Sequence, residues 1–171
     1  SDAAKAKLTD EEIEAYENTQ KAYARNYTFN SGEGVFKVLG NGEVTYFKPL
    51  HPENTWFVVP NMVKKNGFVY KVIKVSTKAF MGCVNATKIK IGKNVQVMGE
   101  YVFKNTPAMG KLIMLTSKLA SGKVKDSFVS GGKDKGAKLT NEVPSGKSSA
   151  YESLFKGEGG MNAGAKFTEA D

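Results

Sequence analysis

From Val35 the pattern of apolar and polar positions breaks into short β-like runs bounded by turn residues. Val35 to Leu39 and Glu43 to Phe47 form two such runs, joined by Gly40-Asn41-Gly42, a strong hairpin signal. Trp56 to Val59 is a short apolar run ended by Pro60, and Met62 to Lys64 and Phe68 to Val75 flank Asn66-Gly67, which predicts a second hairpin. Upstream the spacing is roughly helical, through Leu8, Ile13, Tyr16, Gln20 and Tyr23, with Thr9 as N-cap and Glu12 three residues on. This helix should stop near Asn26. Asp10, Glu11, Glu12 and Glu14 crowd its first turn, where the positive end of the helix favours them, so they read as structural and not as a metal cluster.

The apolar positions repeat. A shift of 23 residues superposes Val72 on Val95, Val75 on Met98, Phe80 on Phe103, Cys83 on Thr106, Ala86 on Met109, Ile89 on Leu112 and Ile91 on Met114 without a gap. Unrelated elements have no reason to keep one spacing, whereas stacked repeats must present the same side chain to the same layer of a continuous core. Val124, Phe128 and Leu139 keep the order of apolar types but lose the spacing, as a decaying end of the array would. A period of 23 lies in the leucine-rich-repeat range.

The repeat residues carry a resemblance. Tyr70 to Cys83, followed by Ile89 to Val95, resembles the BspA-like leucine-rich repeats of bacterial surface proteins, and Ala79-Phe80-Met81-Gly82-Cys83 matches that family's alanine-phenylalanine-x-glycine-cysteine signature. The hairpin, the strand ending Val58-Val59-Pro60 and the Asn66-Gly67 turn are similar to the family's lead-in, and Leu139 to Phe155, with Val143-Pro144 ahead of Ser149 to Phe155, resembles its closing strand-proline-helix segment. The resemblance implies an α+β fold, a short leucine-rich-repeat solenoid of about two clear and two degenerate repeats. An N-terminal helix and β-hairpin would cap one end and a helix the other. Residues 1–30 would be a helical cap or linker and 31–171 the repeat domain, with N-terminal strands at 35–60, repeats at 61–136 and a C-terminal cap at 137–171. Two departures matter: Thr106, followed by Pro107, replaces the second signature cysteine, and residues 1–30 match nothing in the family.

Composition narrows the function. The length of 171 residues suits one domain. No run of eighteen apolar residues exists, so membrane insertion is not expected, and the N-terminus lacks the apolar stretch of a secretory signal, which leaves room for one removed before Ser1. The net charge of +8 is uneven: residues 1–60 carry 6 Lys and Arg against 9 Asp and Glu, while residues 61–171 carry 19 against 8. Arg25 is the only arginine, and lysine lacks the planar fork that reads phosphate and guanine, which argues against specific nucleic-acid binding.

Catalytic readings find little. Cys83, the only cysteine, already has a structural place in the repeat; His51, the only histidine, lies in a polar loop; and Glu100, Asp126, Asp134, Glu142, Glu152 and Glu158 form no obvious pair. Asn141 to Ser148 approaches a phosphate-binding loop but has Asn141 where the motif needs glycine, and Pro144 removes a donor. The chain reads as no enzyme, with no cofactor and no metal. The expectation is a secreted or cell-surface module for protein interaction or adhesion, whose exposed sheet face carries Lys88, Lys90, Lys111 and Ile113, each alternating with the inward Ile89, Ile91, Leu112 and Met114. An envelope glycan or anionic polymer, suggested by the basic half and by Trp56, Tyr70 and Tyr101 read as exposed aromatics that could stack on sugars, is the competing partner, and a structural spacer the competing role.

Overall fold

The computed structural model describes residues 9–12 and 23–171. Its regular structure is mostly strand with few helical segments, a mixed α/β chain. β1 (Thr28–Ser31), β2 (Gly34–Gly40) and β3 (Glu43–Pro49) form an antiparallel meander. The β2–β3 turn is made by Asn41 and Gly42 at φ of 54° and 73°, and Asn66 and Gly67, at 48° and 83°, join β5 (Met62–Lys65) to β6 (Phe68–Val75). Two successive left-handed residues match the twist of the strands they connect, which is why Asn-Gly was an effective signal at both places. β4 (Trp56–Val59) coincides with the apolar run before Pro60.

From β6 onward each pass of the chain adds to two sheets. β6 lies between β3 and β8 (Val97–Met98), parallel to both, in a six-stranded sheet ordered β1-β2-β3-β6-β5 with β8 also on β6. β4, β7 (Lys88–Ile91), β9 (Lys111–Met114), β10 (Thr140–Val143) and β11 (Lys166–Glu169) make a second sheet in that order, parallel throughout. The 23-residue shift is its register: Lys88 lies opposite Lys111 and Ile91 opposite Met114, as Val75 lies opposite Met98 in the first sheet. The other junctions of the second sheet have spacings of 32, 29 and 26, with Trp56 opposite Lys88, Lys111 opposite Thr140 and Thr140 opposite Lys166.

The segments linking the sheets repeat as closely as the strands. Phe80 N–H donates to Val102 O and Tyr101 N–H to Asp126 O, each at 2.9 Å. Left-handed residues recur at matching places, Lys78, Tyr101 and Asp126 in one row (φ 61°, 55°, 54°) and Gly82, Asn105 and Ser130 in another (79°, 59°, 53°). The signature glycine therefore marks a backbone requirement, which Asn105 and Ser130 meet at the cost of backbone strain, their Cβ crowding the following carbonyl oxygen.

Aromatic rings run through the core. Tyr46, Phe80, Phe103, Phe128 and Phe155 follow one another at centroid distances of 5.1, 5.9, 5.7 and 4.4 Å, and Phe80 and Phe103 lie within 3° of parallel. Phe29 and Phe36 extend the row at one end and Phe167 at the other. Each buried ring contributes about 1.5–3 kcal/mol by leaving water, and stacking carries that core from one repeat to the next.

At the N-terminus Thr9 Oγ1 accepts the Glu12 N–H at 3.2 Å and residues 10–12 are helical, the arrangement expected of the N-cap. Leu8, Ile13, Tyr16 and Gln20, on which the helical spacing also rests, lie outside the described residues. Asn26 sits left-handed (φ 73°) in a turn before β1. β1 was not anticipated, and its pairing with β2 carries the sheet across the division expected between residues 30 and 31. β11 was not anticipated either, because Lys166–Glu169 places just one half-buried apolar residue, Phe167, among exposed neighbours.

Helix α1 (Ser148–Lys156) buries Tyr151 and Phe155 on the last repeat, and Tyr151 Oη donates to Thr116 O at 2.7 Å. Glu158, just beyond it, accepts the Gly122 N–H on both carboxylate oxygens at 2.9 Å and the Val124 N–H at 3.3 Å. The Gly122 amide, with that of Val124 and the Ser121 side chain, holds the Glu158 carboxyl below the usual carboxylate range. A depressed folded pKa gives stability that is full above the unfolded value and lost as pH falls through the folded one. Glu158→Gln should therefore lower the melting temperature at pH 7, and the gap to the parent should close as pH falls below the ordinary carboxylate range. Thermal melts across pH 2–7 check this, and a gap that persists at the acid end would contradict the assignment.

Candidate functional site

The outer face of the parallel five-stranded sheet holds all four residues singled out from the sequence. Ile89, Ile91, Leu112 and Met114 are buried, so the strand alternation turns Lys88, Lys90, Lys111 and Ile113 outward, where each is half-buried. Register sets Lys88 beside Lys111 and Lys90 beside Ile113, joining them in one patch. β4 extends it with Trp56 beside Lys88 and Val58 beside Lys90, and β10 with Thr140 beside Lys111 and Glu142 beside Ile113. Lys88 Nζ lies 5.1 Å from the centre of the Trp56 ring, and Lys111 Nζ lies 3.8 Å from Glu142 Oε1. Both contacts are solvent-exposed and contribute little to stability, well under about 1 kcal/mol for the ion pair. The patch thus combines ammonium groups, aliphatic stems and an exposed indole on a rigid support, suited to contact and lacking a nucleophile-base pair.

Of the aromatics named for stacking, Trp56 is 57% exposed, but Tyr70 is only 2% exposed. Tyr70 packs on Phe29 and its hydroxyl accepts the Tyr23 N–H at 3.0 Å, so the expectation that it is a surface aromatic is wrong. Its neighbours Val69 and Lys71 alternate outward, leaving Tyr70 on the buried side of β6. Tyr101 is half-buried in a left-handed turn under Lys104.

The other chemical candidates take structural places. Cys83 is buried, and burial pushes its thiol pKa up, away from a reactive thiolate. At the equivalent position Thr106 Oγ1 donates to Phe103 O at 2.7 Å and accepts the Gly132 N–H at 2.9 Å, tying its turn to the next repeat. His51 lies exposed between Glu33 and Glu53, at 3.9 and 3.6 Å. Among the described residues no three His, Cys, Asp or Glu side chains converge as a metal site would require. In the run resembling a phosphate loop, Ser148 N–H and Oγ–H both donate to Glu169 Oε2, at 3.2 and 2.6 Å, so the chain's own carboxylate fills the anion position at the start of α1. The Ser148 hydroxyl, followed by the Gly146 and Ser148 amides, lowers the Glu169 carboxyl below its ordinary range.

Sequence comparison at one period missed Val58 and Glu142 as members of the patch. Their strands alternate with the right parity, but the 32- and 29-residue junctions hide them from a 23-residue shift.

No family model and no curated protein matches the chain. A leucine-rich repeat protein from Bacteroides capillosus is 16% identical, with a TM-score of 0.52 over 84% of this chain and 99% of that one. The fold is a leucine-rich-repeat fold. A leucine rich cell surface protein from Faecalibacterium prausnitzii is 15% identical with a TM-score of 0.48, covering 73% of this chain and 38% of its own. A leucine-rich repeat protein from Bacteroides ovatus is 19% identical with a TM-score of 0.48, covering 84% of this chain and 35% of its own. The chain thus spans little more than a third of each of these two proteins.

No helix among the described residues is long and apolar enough to cross a membrane.

Proposed function

We propose that this chain is a non-catalytic protein-interaction module of a bacterial cell-surface or secreted protein, built as a short BspA-like solenoid. α1 and β11 close its C-terminal end and the N-terminal hairpin strands close the other. The observation that carries the reading is the continuous outer sheet face around Lys88, Lys90, Lys111 and Ile113, where these half-buried side chains of β7 and β9 share one surface with exposed Trp56 and Val58 of β4 and with Thr140 and Glu142 of β10. Interfaces favour this mixture of aromatic and aliphatic anchors with a polar surround.

The experiment is a binding screen of the purified domain against extracellular-matrix proteins, host-cell surfaces and cell-wall glycans, at low and high salt. A protein partner held on this face should survive high salt and lose at least about tenfold in affinity in Lys111→Glu/Ile113→Glu, equivalent to about 1.4 kcal/mol. The two half-exposed substitutions should leave the melting temperature within a few degrees of the parent. Binding to polyanions alone, abolished by salt, would transfer the function to envelope polymers, and absence of binding would leave a spacer.

A further inference from the structure

A second feature lies beside this face, at its β4 end. β4 is the terminal strand of the five-stranded sheet, and among the described residues no strand pairs with its outer edge. Its main-chain groups alternate in direction. Thr55 O accepts the Thr87 N–H at 2.7 Å, and Val59 O faces Gly92 so closely that a Cβ there would lie 2.7 Å from it. The odd-numbered residues therefore address β7, and the N–H and C=O groups of Trp56 and Val58 point out of the open edge.

That edge borders a groove of about 500 Å³ between the β1–β2 turn, β4 and β5. Phe36, Pro60 and Val63 supply apolar lining, and Trp56, Val58 and Met62 are 57%, 45% and 46% exposed along it. Exposed apolar side chains next to unpaired strand hydrogen-bonding groups are the combination that receives an added strand. Lys64 stands in the groove lining, with Lys88 and Lys90 on the next strand, and the one acidic residue lining the groove, Glu33, faces His51.

We propose that the open edge of β4 binds an extended acidic peptide segment of a partner protein, which adds as a sixth strand by pairing with the Trp56 and Val58 main chain and sets alternate apolar side chains in the groove. The apolar lining of the groove takes every second side chain of the added strand, and Lys64 in that lining, with Lys88 and Lys90 beside Trp56 and Val58, favours carboxylates among the rest. The proposal rests on the protein-interaction reading and names the partner's chemistry at the margin of that same face.

The test uses the full chain, isotope-labelled, with a synthetic peptide of alternating valine and glutamate as probe. Saturable binding should slow hydrogen exchange at the Trp56 and Val58 amides, and methylating every second peptide nitrogen on the pairing side should abolish it. Val58→Pro removes one outward donor from an edge where proline is tolerated, and should weaken the peptide at least tenfold while the melting temperature barely moves. No binding, equal binding of the methylated peptide, or amides already protected in the free protein would overturn the proposal. Lys111→Glu/Ile113→Glu separates the two readings: partners from the screen that lose affinity in this variant while the peptide fails to bind support the face and sink the edge.

Discussion

Replacing Phe103 by alanine should remove about 4 kcal/mol of stability, measured by urea unfolding at 25 °C. Phe103 is buried between Phe80 and Phe128, at 5.9 and 5.7 Å, with interplanar angles of 3° and 10°. Gly131 approaches so closely that a Cβ placed on it would stand 2.7 Å from Phe103 Cβ, which fixes the backbone at the base of the side chain and leaves the flanking Phe80 and Phe128 rings to fill whatever space alanine opens. A domain of this size has a total stability of about 5–15 kcal/mol, and stacked repeats depend on nearest-neighbour contacts. The loss therefore falls at the junction joining the two halves of the core, and the transition should broaden or divide as well as move. Phe103→Leu, which keeps most of the volume, should cost about 1.5 kcal/mol. A Phe103→Ala variant with an unchanged midpoint would show that the ring stack does not couple the repeats. Phe167→Ala, at the half-buried end of the row, should cost less than the central substitution.

That stack was partly legible in the sequence. Phe80 and Phe103 stood at one spacing, and Phe128 kept its type while losing the interval, as the 25-residue hydrogen-bonded offset from Tyr101 to Asp126 explains. Tyr46 and Phe155 belong to the same row but arrive from a hairpin and a helix, elements with no common period. Strand ends followed readily where Asn-Gly turns fixed them, as at Asn41-Gly42 and Asn66-Gly67. β1 and β11 escaped because four-residue edge strands acquire their identity from the partner they pair with, and Thr28–Ser31 has no strong alternation of its own. The sheet face followed from parity alone in β7 and β9. Its extension to Trp56, Val58 and Glu142 required the register between unequal repeats, which only the folded chain displays.

Gly99→Ala should be nearly as damaging, at about 3 kcal/mol, for a reason that no repeat position announces. Gly99 N–H donates to Val75 O at 2.9 Å, and a Cβ on Gly99 would lie 2.3 Å from Thr77 N and 2.6 Å from Thr77 Cα. The obstruction is backbone, which cannot rotate aside, so the segment after β8 would have to move off the segment after β6. That movement also strains the bond from Glu100 N–H to Thr77 Oγ1, now 3.3 Å long. The equivalent residue one repeat earlier is Ser76, whose hydroxyl lies 2.7 Å from Thr45 Oγ1, so the glycine answers a local approach and not a periodic one. Gly122 provides the contrast: nothing lies within 4 Å of its notional Cβ, but its φ of +82° is left-handed. Alanine there should cost only the backbone preference, about 1 kcal/mol. Urea midpoints for the two variants decide between close approach and backbone strain as the main demand on glycine in this fold. Equal losses at both positions would refute the steric account of Gly99.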